Sequence, residues 1–187
     1  DRPDGGLYRF TATNGLPDLS RGTLEIAAVV VRGSEKFVEW KAVDGPHART
    51  KPTRRQVASY QPFAGGEGIA IQDDVVYFTT KHDNRVWRYE TRSNQLDILY
   101  EAGAIDNSIL TGVDNLVISP AGDVLVAEDR GDMQIVSISP EGEPMPLLQI
   151  INHDKSEIAG PAFDPSHTRL YFSSQRGQSG IGTDGIT

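Results

Sequence analysis

Cysteine is absent from this chain of 187 residues, and basic residues are scarce. The lack of cysteine excludes disulfide bonds, thiol catalysis and zinc or iron sites with cysteine ligands. Lys and Arg total 18 against 26 Asp and Glu, a formal charge of -8. That balance argues against nucleic-acid or anionic-membrane partners and suits cations. No apolar run approaches the roughly 18 residues of a membrane span, and residues 1–4 show no signal peptide.

An internal repeat is the strongest signal in the chain. Short apolar runs alternate with turns rich in Asp, Asn, Gly and Ser, which is typical of successive antiparallel strands. The first copy covers 67–71, 75–80, 85–89 and 96–100; the second covers 114–118, 123–128, 134–138 and 146–150. The offset from Glu67 to Asp114 is 47 residues. A period of this length with four strands is typical of the blades of a β-propeller.

The two ends of the chain carry partial copies of the repeat. Residues 158–163 and 169–174 match its first two strands, and residues 6–10 and 23–30 match its last two. We therefore predict an all-β fold in which residues 1–187 form one partial propeller of about three blades, half of a six-bladed ring. A β-sandwich is the alternative. Because three blades do not close a ring, we expect either a piece of a longer protein or a head-to-tail homodimer.

Residues 31–63 interrupt the repeat. This segment contains a concentration of basic side chains in an otherwise acidic protein: Arg32, Lys36, Lys41, His47, Arg49, Lys51, Arg54 and Arg55. It is predicted to be an inserted basic loop. Two interpretations stay open, a solvated surface loop or an anion-binding lid near the mouth of the channel.

Acidic residues mark the start of the first strand in each copy. These strands line the channel of a propeller, so Glu67, Asp114 with Asn115, and Glu157 are expected to converge on its axis. Converging carboxylates repel one another unless a cation lies among them. Calcium binds six to eight oxygen ligands of this kind, whereas the four histidines have no zinc-site spacing. Glu128, followed by Asp129, is a further ligand candidate or a strand-end turn.

Several of these segments together resemble the PhoX-type alkaline phosphatases, a family of bacterial propellers. The resemblance covers residues 1 to about 177 and is clearest from Gly66 onward. It is carried by residues 66–69, 76–80 and 84–87, by 113–120 with 128–129, and by 160–163 with 170–172.

The resemblance implies an exported, six-bladed enzyme that hydrolyses phosphomonoesters at a calcium and iron cluster on the channel axis. By motif, Glu67, Asp114 and Glu157 are similar to the acidic ligand positions, and Asn115 and Glu128 to their neighbours. Such a cluster would polarise the phosphate. The sequence departs from the family pattern at Gly65, where relatives often have an arginine. It also lacks the cysteine of the iron site, so iron would need a ligand from outside this chain.

The residues by themselves identify no nucleophile and no water-activating group. Two other functions therefore stand beside the phosphatase. One is a calcium-dependent lactonase of the gluconolactonase-like propellers, and the other is a non-catalytic propeller that binds a partner, since propellers host many functions.

Overall fold

Thirteen β-strands in four antiparallel sheets make up the fold in the computed structural model, which describes residues 2–186. Sheet one contains β1 (Tyr8–Ala12), β2 (Gly22–Arg32) and β3 (Glu35–Ala42). Sheet two contains β4 (Gly66–Gln72), β5 (Val75–Thr80), β6 (Arg85–Glu90) and β7 (Leu96–Glu101). Sheet three contains β8 (Val113–Ile118), β9 (Val124–Glu128), β10 (Gln134–Ile138) and β11 (Pro144–Gln149). Sheet four contains β12 (Ile158–Phe163) and β13 (Leu170–Ser174).

Helix is confined, within residues 2–186, to two short 3-10 turns at Thr53–Arg55 and Ala102–Ala104. Neither approaches the length and apolarity that a membrane-spanning helix needs.

The tight turns explain why the strands follow one another as hairpins. The side-chain oxygen of Ser119 accepts hydrogen bonds from the backbone N–H groups of Ala121 and Asp123, and Gly122 adopts a φ of +94°. The turn after β10 repeats this arrangement, with Ser139 as the acceptor and Gly142 at a φ of +93°. A serine hydroxyl that satisfies turn N–H groups, with glycine at positive φ, is a local signal that sequence alone provides.

The core consists of three apolar layers between successive sheets. Between sheets one and two, Trp87 stacks on Phe78 at 5.9 Å and meets Phe63 edge-on at 5.3 Å. Between sheets two and three, Tyr77 and Tyr100 pack with Val113, Leu116 and several valines. Between sheets three and four lie Leu125, Met133, Ile135 and Ile158. The sheets therefore pack face to face in chain order, as blades do.

The innermost strands β4, β8 and β12 lie side by side. Gly68 of β4 allows this approach, because a Cβ at that position would lie only 2.6 Å from the backbone nitrogen of Leu116 in β8. The starts of the three innermost strands are thereby brought to one end of the molecule.

The structure confirms the all-β prediction and the two complete four-stranded repeats. It corrects the prediction that residues 31–63 form one inserted loop. The first part of that segment ends β2 and forms β3, which pairs with β2 along its whole length. Val38 is buried there, so the edge strand contributes to the core despite its charged neighbours. The loop itself covers residues 43–63. The Gln56 side chain stabilises it by accepting a hydrogen bond from the Gly45 N–H and donating one to the Gly45 carbonyl.

Candidate metal centre

A polar recess of about 820 Å³ lies where the innermost strands begin. Among the lining residues, sheets two, three and four each contribute an equivalent pair, one at the start of the innermost strand and one just after its partner strand. These pairs are Glu67 with Lys81, Asp114 with Asp129, and Glu157 with Gln175. Equivalent positions of the repeat thus converge on one site.

Three carboxylates form the centre of the recess. Asp114, Asp129 and Glu157 each offer an oxygen atom, and these oxygens lie within 4.8 Å of one another. The Asp129 side chain is buried, and within residues 2–186 its Oδ1 atom has no hydrogen-bond partner. Nη1 of Arg176 lies 3.8 Å from this oxygen. An orphaned, buried carboxylate oxygen beside two further carboxylates fits a metal ion, because a buried charge is stable only when it is paired or coordinated.

Two basic side chains partly balance this charge. Lys81 bonds to Asp129, and its Nζ lies 3.6 Å from Oδ2 of Asp114. Arg176 holds Glu157, with Nη2 2.7 Å from Oε2. With Glu67 and Arg130, which also line the recess, four carboxylates face three cationic side chains, so the site keeps a formal excess of negative charge.

The electrostatics of the recess reflect that excess. Burial raises the pKa of Asp114, and the Asp129 charge raises it further. Burial and a neighbouring carboxylate likewise raise the pKa of Glu67 and that of Glu157. For Asp129, burial acts to raise the pKa, but the hydrogen bond and charge of Lys81 outweigh it and the pKa is lowered. The anionic forms of three of the four carboxylates are therefore destabilised. A divalent cation would stabilise these anionic forms.

Most of the residues singled out from the sequence lie in or beside this recess. Asp114 and Glu157 belong to the central group, and Glu67 lines its wall. Asn115 braces the site, since its Nδ2 donates to Oδ1 of Asp114 at 2.7 Å and its Oδ1 accepts from the backbone N–H of Gly160 at 2.9 Å. Asn115 thereby links sheet three to sheet four.

Glu128 is placed differently from the expectation that it is a ligand. Its side chain is 1% exposed and points into the protein, where Oε1 accepts from the Thr111 N–H at 3.0 Å and Oε2 from the Gln134 N–H at 2.9 Å. The next residue, Asp129, reaches the recess instead. Strand alternation gave no signal here, because both faces of β9 are buried: Val124 and Val126 pack in one core layer, and Leu125 and Ala127 pack in the next.

Sequence reasoning also missed Lys81, Arg176 and Thr79. The Thr79 hydroxyl donates to the backbone carbonyl of Asp114 and accepts from the Gly68 N–H at 2.8 Å. This buried side chain therefore links sheet two to sheet three at Asp114, one of the three central carboxylates.

The donor set is made of oxygen atoms only, which suits a hard divalent cation. Within residues 2–186 no histidine belongs to the cluster of acidic groups. Asp114, Asp129 and Glu157 are therefore the residues that fit a metal, with Glu67 beside them.

Comparison with known proteins gives one family and several similar solved structures, two of which are described. A family profile described as "Alkaline phosphatase PhoX" matches residues 1–177. No curated protein matches the chain in sequence. A solved luciferin-regenerating enzyme is 18% identical with a TM-score of 0.50, covering 92% of this chain and 51% of its own. A structural genomics protein of unknown function from Bacteroides thetaiotaomicron is 13% identical with a TM-score of 0.48, covering 94% and 53%.

The chain thus spans about half the length of these two solved proteins. At 18% identity, the likeness to the luciferin-regenerating enzyme shows the fold alone. Together with the four-stranded antiparallel sheets, it identifies the architecture as that of a β-propeller.

Proposed function

Because the chain belongs to the PhoX alkaline phosphatase family, we propose that it forms the metal centre of a phosphomonoesterase and that this centre is the acidic recess. The family is metal-dependent and acts on phosphate esters. The single observation that carries the proposal is the buried Oδ1 of Asp129, which faces two other carboxylates and has no hydrogen-bond partner within residues 2–186.

Calcium is the proposed metal. Asp114, Asp129 and Glu157 would hold it, and their oxygen donors match its preference. When bound, a divalent cation at this site polarises a phosphoryl oxygen and stabilises the negative charge that develops during transfer. An iron ion in the same centre would need a ligand from outside this chain, which has no cysteine.

The protein's own cations supply the rest of the phosphate site. Arg176 is partly exposed at the recess and is anchored through Nη2 to Glu157, which leaves part of its guanidinium directed to solvent. A guanidinium binds two phosphate oxygens at once, which orients the ester for attack. Lys81, from sheet two, adds a second positive charge to the lining of the recess. The family is typically exported, and we propose the same location for this protein.

The test is phosphate release by the protein from an aryl phosphate at alkaline pH, with calcium or with excess chelator. Because a metal contributes several kcal/mol of charge stabilisation, chelation is expected to lower the rate by at least about a hundredfold. A lactone serves as the comparison substrate. No phosphate release by the metal-replete protein would overturn the proposal, and turnover of the lactone alone would favour the lactonase instead.

Closure of the ring by a second copy is a further part of the proposal. A comparison of equivalent residues in the repeat shows which packing contacts are missing at the two ends of the partial propeller. Leu116 of β8 is 7% exposed and packs with Tyr77, which is 8% exposed, whereas the equivalent residues Ile69 and Tyr171 are 59% and 53% exposed. Strands β12 and β13 of the second copy would cover Ile69 with their Tyr171. On the outer edge of β13, Ser174 exchanges backbone hydrogen bonds with Ile186.

Light scattering tests this closure. The expected mass is twice that of one chain. Ile69→Arg is expected to reduce it to one chain mass, because a buried unpaired charge is costly, while Ile105→Arg, at an exposed loop position, leaves it unchanged. A single-chain mass for the unaltered protein would contradict dimerisation.

A further inference from the structure

Lys81 occupies an unusual place in the repeat. The same position, directly after the second strand of a sheet, is Asp129 in sheet three and Gln175 in sheet four. Of these three sheets, only sheet two has a cation at this position. The side chain of Lys81 extends from sheet two to the carboxylates of Asp114 and Asp129 in sheet three. The ammonium group therefore lies among the oxygens proposed above to bind calcium.

We propose that Lys81 is an internal counter-ion of this site, which stabilises the metal-free protein and competes with the metal for Asp129 and Asp114. The inference rests on the proposed metal centre and adds how that centre is regulated. It assigns opposite effects to one side chain, since Lys81 favours the folded protein and disfavours the bound metal.

The geometry supports competition rather than coexistence. Lys81 bonds to one oxygen of Asp129 and lies 3.6 Å from Oδ2 of Asp114, so both aspartates that would bind the metal also bind the ammonium. A cation held by both carboxylates would lie next to this like charge. Coupling of this kind is reciprocal. The free energy that the Lys81 contacts contribute to the metal-free protein is lost when a metal displaces Lys81, so metal binding is weaker by that free energy.

Arg176 does not have the same role. Its side chain is held by Glu157 at 2.7 Å and its backbone N–H donates to Oγ of Ser156 at 2.8 Å, whereas its distance to Asp129 is 3.8 Å. Lysine, with one compact charge on a flexible stem, is better suited to move away when a metal enters.

The test replaces Lys81 with Met, which keeps an unbranched side chain of similar length but removes the charge. Titration calorimetry of the protein with calcium chloride is expected to give about tenfold tighter binding for Lys81→Met. In chelator, the same variant is expected to melt at a lower temperature than the unaltered protein, and saturating calcium is expected to narrow that difference.

Two control variants make the result specific. Lys81→Arg keeps the charge and is expected to retain weak binding like that of the unaltered protein. Lys41→Met removes a positive charge from the Lys41–Glu39 pair of β3, so it controls for the change in net charge and is expected to leave calcium affinity unchanged.

The outcomes separate this inference from the proposed function. If the unaltered protein binds calcium and Lys81→Met binds it equally or more weakly, the counter-ion role is wrong while the metal centre stands. If no form of the protein binds calcium, the metal centre and the inference both fall. Should Lys81→Met fail to fold even in calcium, equal calcium affinity of Lys81→Gln and the unaltered protein would overturn the inference.

Discussion

Replacing Asp129 with Asn will reduce calcium affinity by at least about a hundredfold, and phosphate release will fall with it. Changes to groups that merely orient metal ligands typically lower metal affinity or activity 10- to 100-fold. Asp129 is itself a proposed ligand, so its replacement is expected to have a larger effect. Its side chain is 6% exposed, and Oδ1 has no hydrogen-bond partner within residues 2–186. An amide has nearly the same shape, so the fold is retained while one charge of the cluster is lost.

Calcium titration of Asp129→Asn measures this effect directly. Asp97→Asn is the matched control, because Asp97 lies on β7, away from the recess, in an exposed pair with Arg88 at 3.6 Å. That variant is expected to bind calcium like the unaltered protein. Unchanged affinity in Asp129→Asn would remove Asp129 from the proposed ligand set.

Replacing Glu128 with Ala will lower the free energy of unfolding by roughly 3 kcal/mol or more and leave the metal site of the folded protein intact. Each carboxylate oxygen of Glu128 accepts one backbone N–H, from Thr111 and from Gln134. Removing the carboxylate leaves the buried Gln134 N–H unsatisfied, at about 1–3 kcal/mol. It also removes the partner of the partly buried Thr111 N–H and creates a cavity.

Denaturant unfolding of Glu128→Ala and Glu128→Gln gives the test. Gln keeps one carbonyl oxygen and loses one acceptor, so its stability is expected to fall between those of the Ala variant and the unaltered protein. A Glu128→Ala variant of normal stability that no longer binds calcium would show that Glu128 is a ligand, as the sequence suggested.

Sequence reasoning predicted the complete repeats because their signals are local. Strand alternation, Ser-Pro turns and the 47-residue offset from Glu67 to Asp114 can each be read without knowing the tertiary contacts. Strand β3 escaped prediction because charged residues separate its apolar positions, and only pairing with β2 decides that Val38 is buried.

The candidate site was predictable in part, for a related reason. Equivalent strand starts converge in any radial repeat, so Glu67, Asp114 and Glu157 could be foreseen together. Choosing Asp129 over Glu128 required the face of β9 to be assigned, which alternation did not allow because both faces of this strand are buried. Lys81 could not be assigned from sequence, because it meets Asp129 across 48 residues and between two sheets.

Gly68 sets how closely the carboxylate-bearing ends of sheets two and three approach each other. The contact that leaves no room for a Cβ is made by backbone atoms of β4 and β8, and the Thr79 hydroxyl bridges the same two strands. The spacing between the start of β4, which carries Glu67, and the start of β8, which carries Asp114, is therefore fixed by main chain. The reach of Lys81 from sheet two to Asp129 and Asp114 depends on the same main-chain contact.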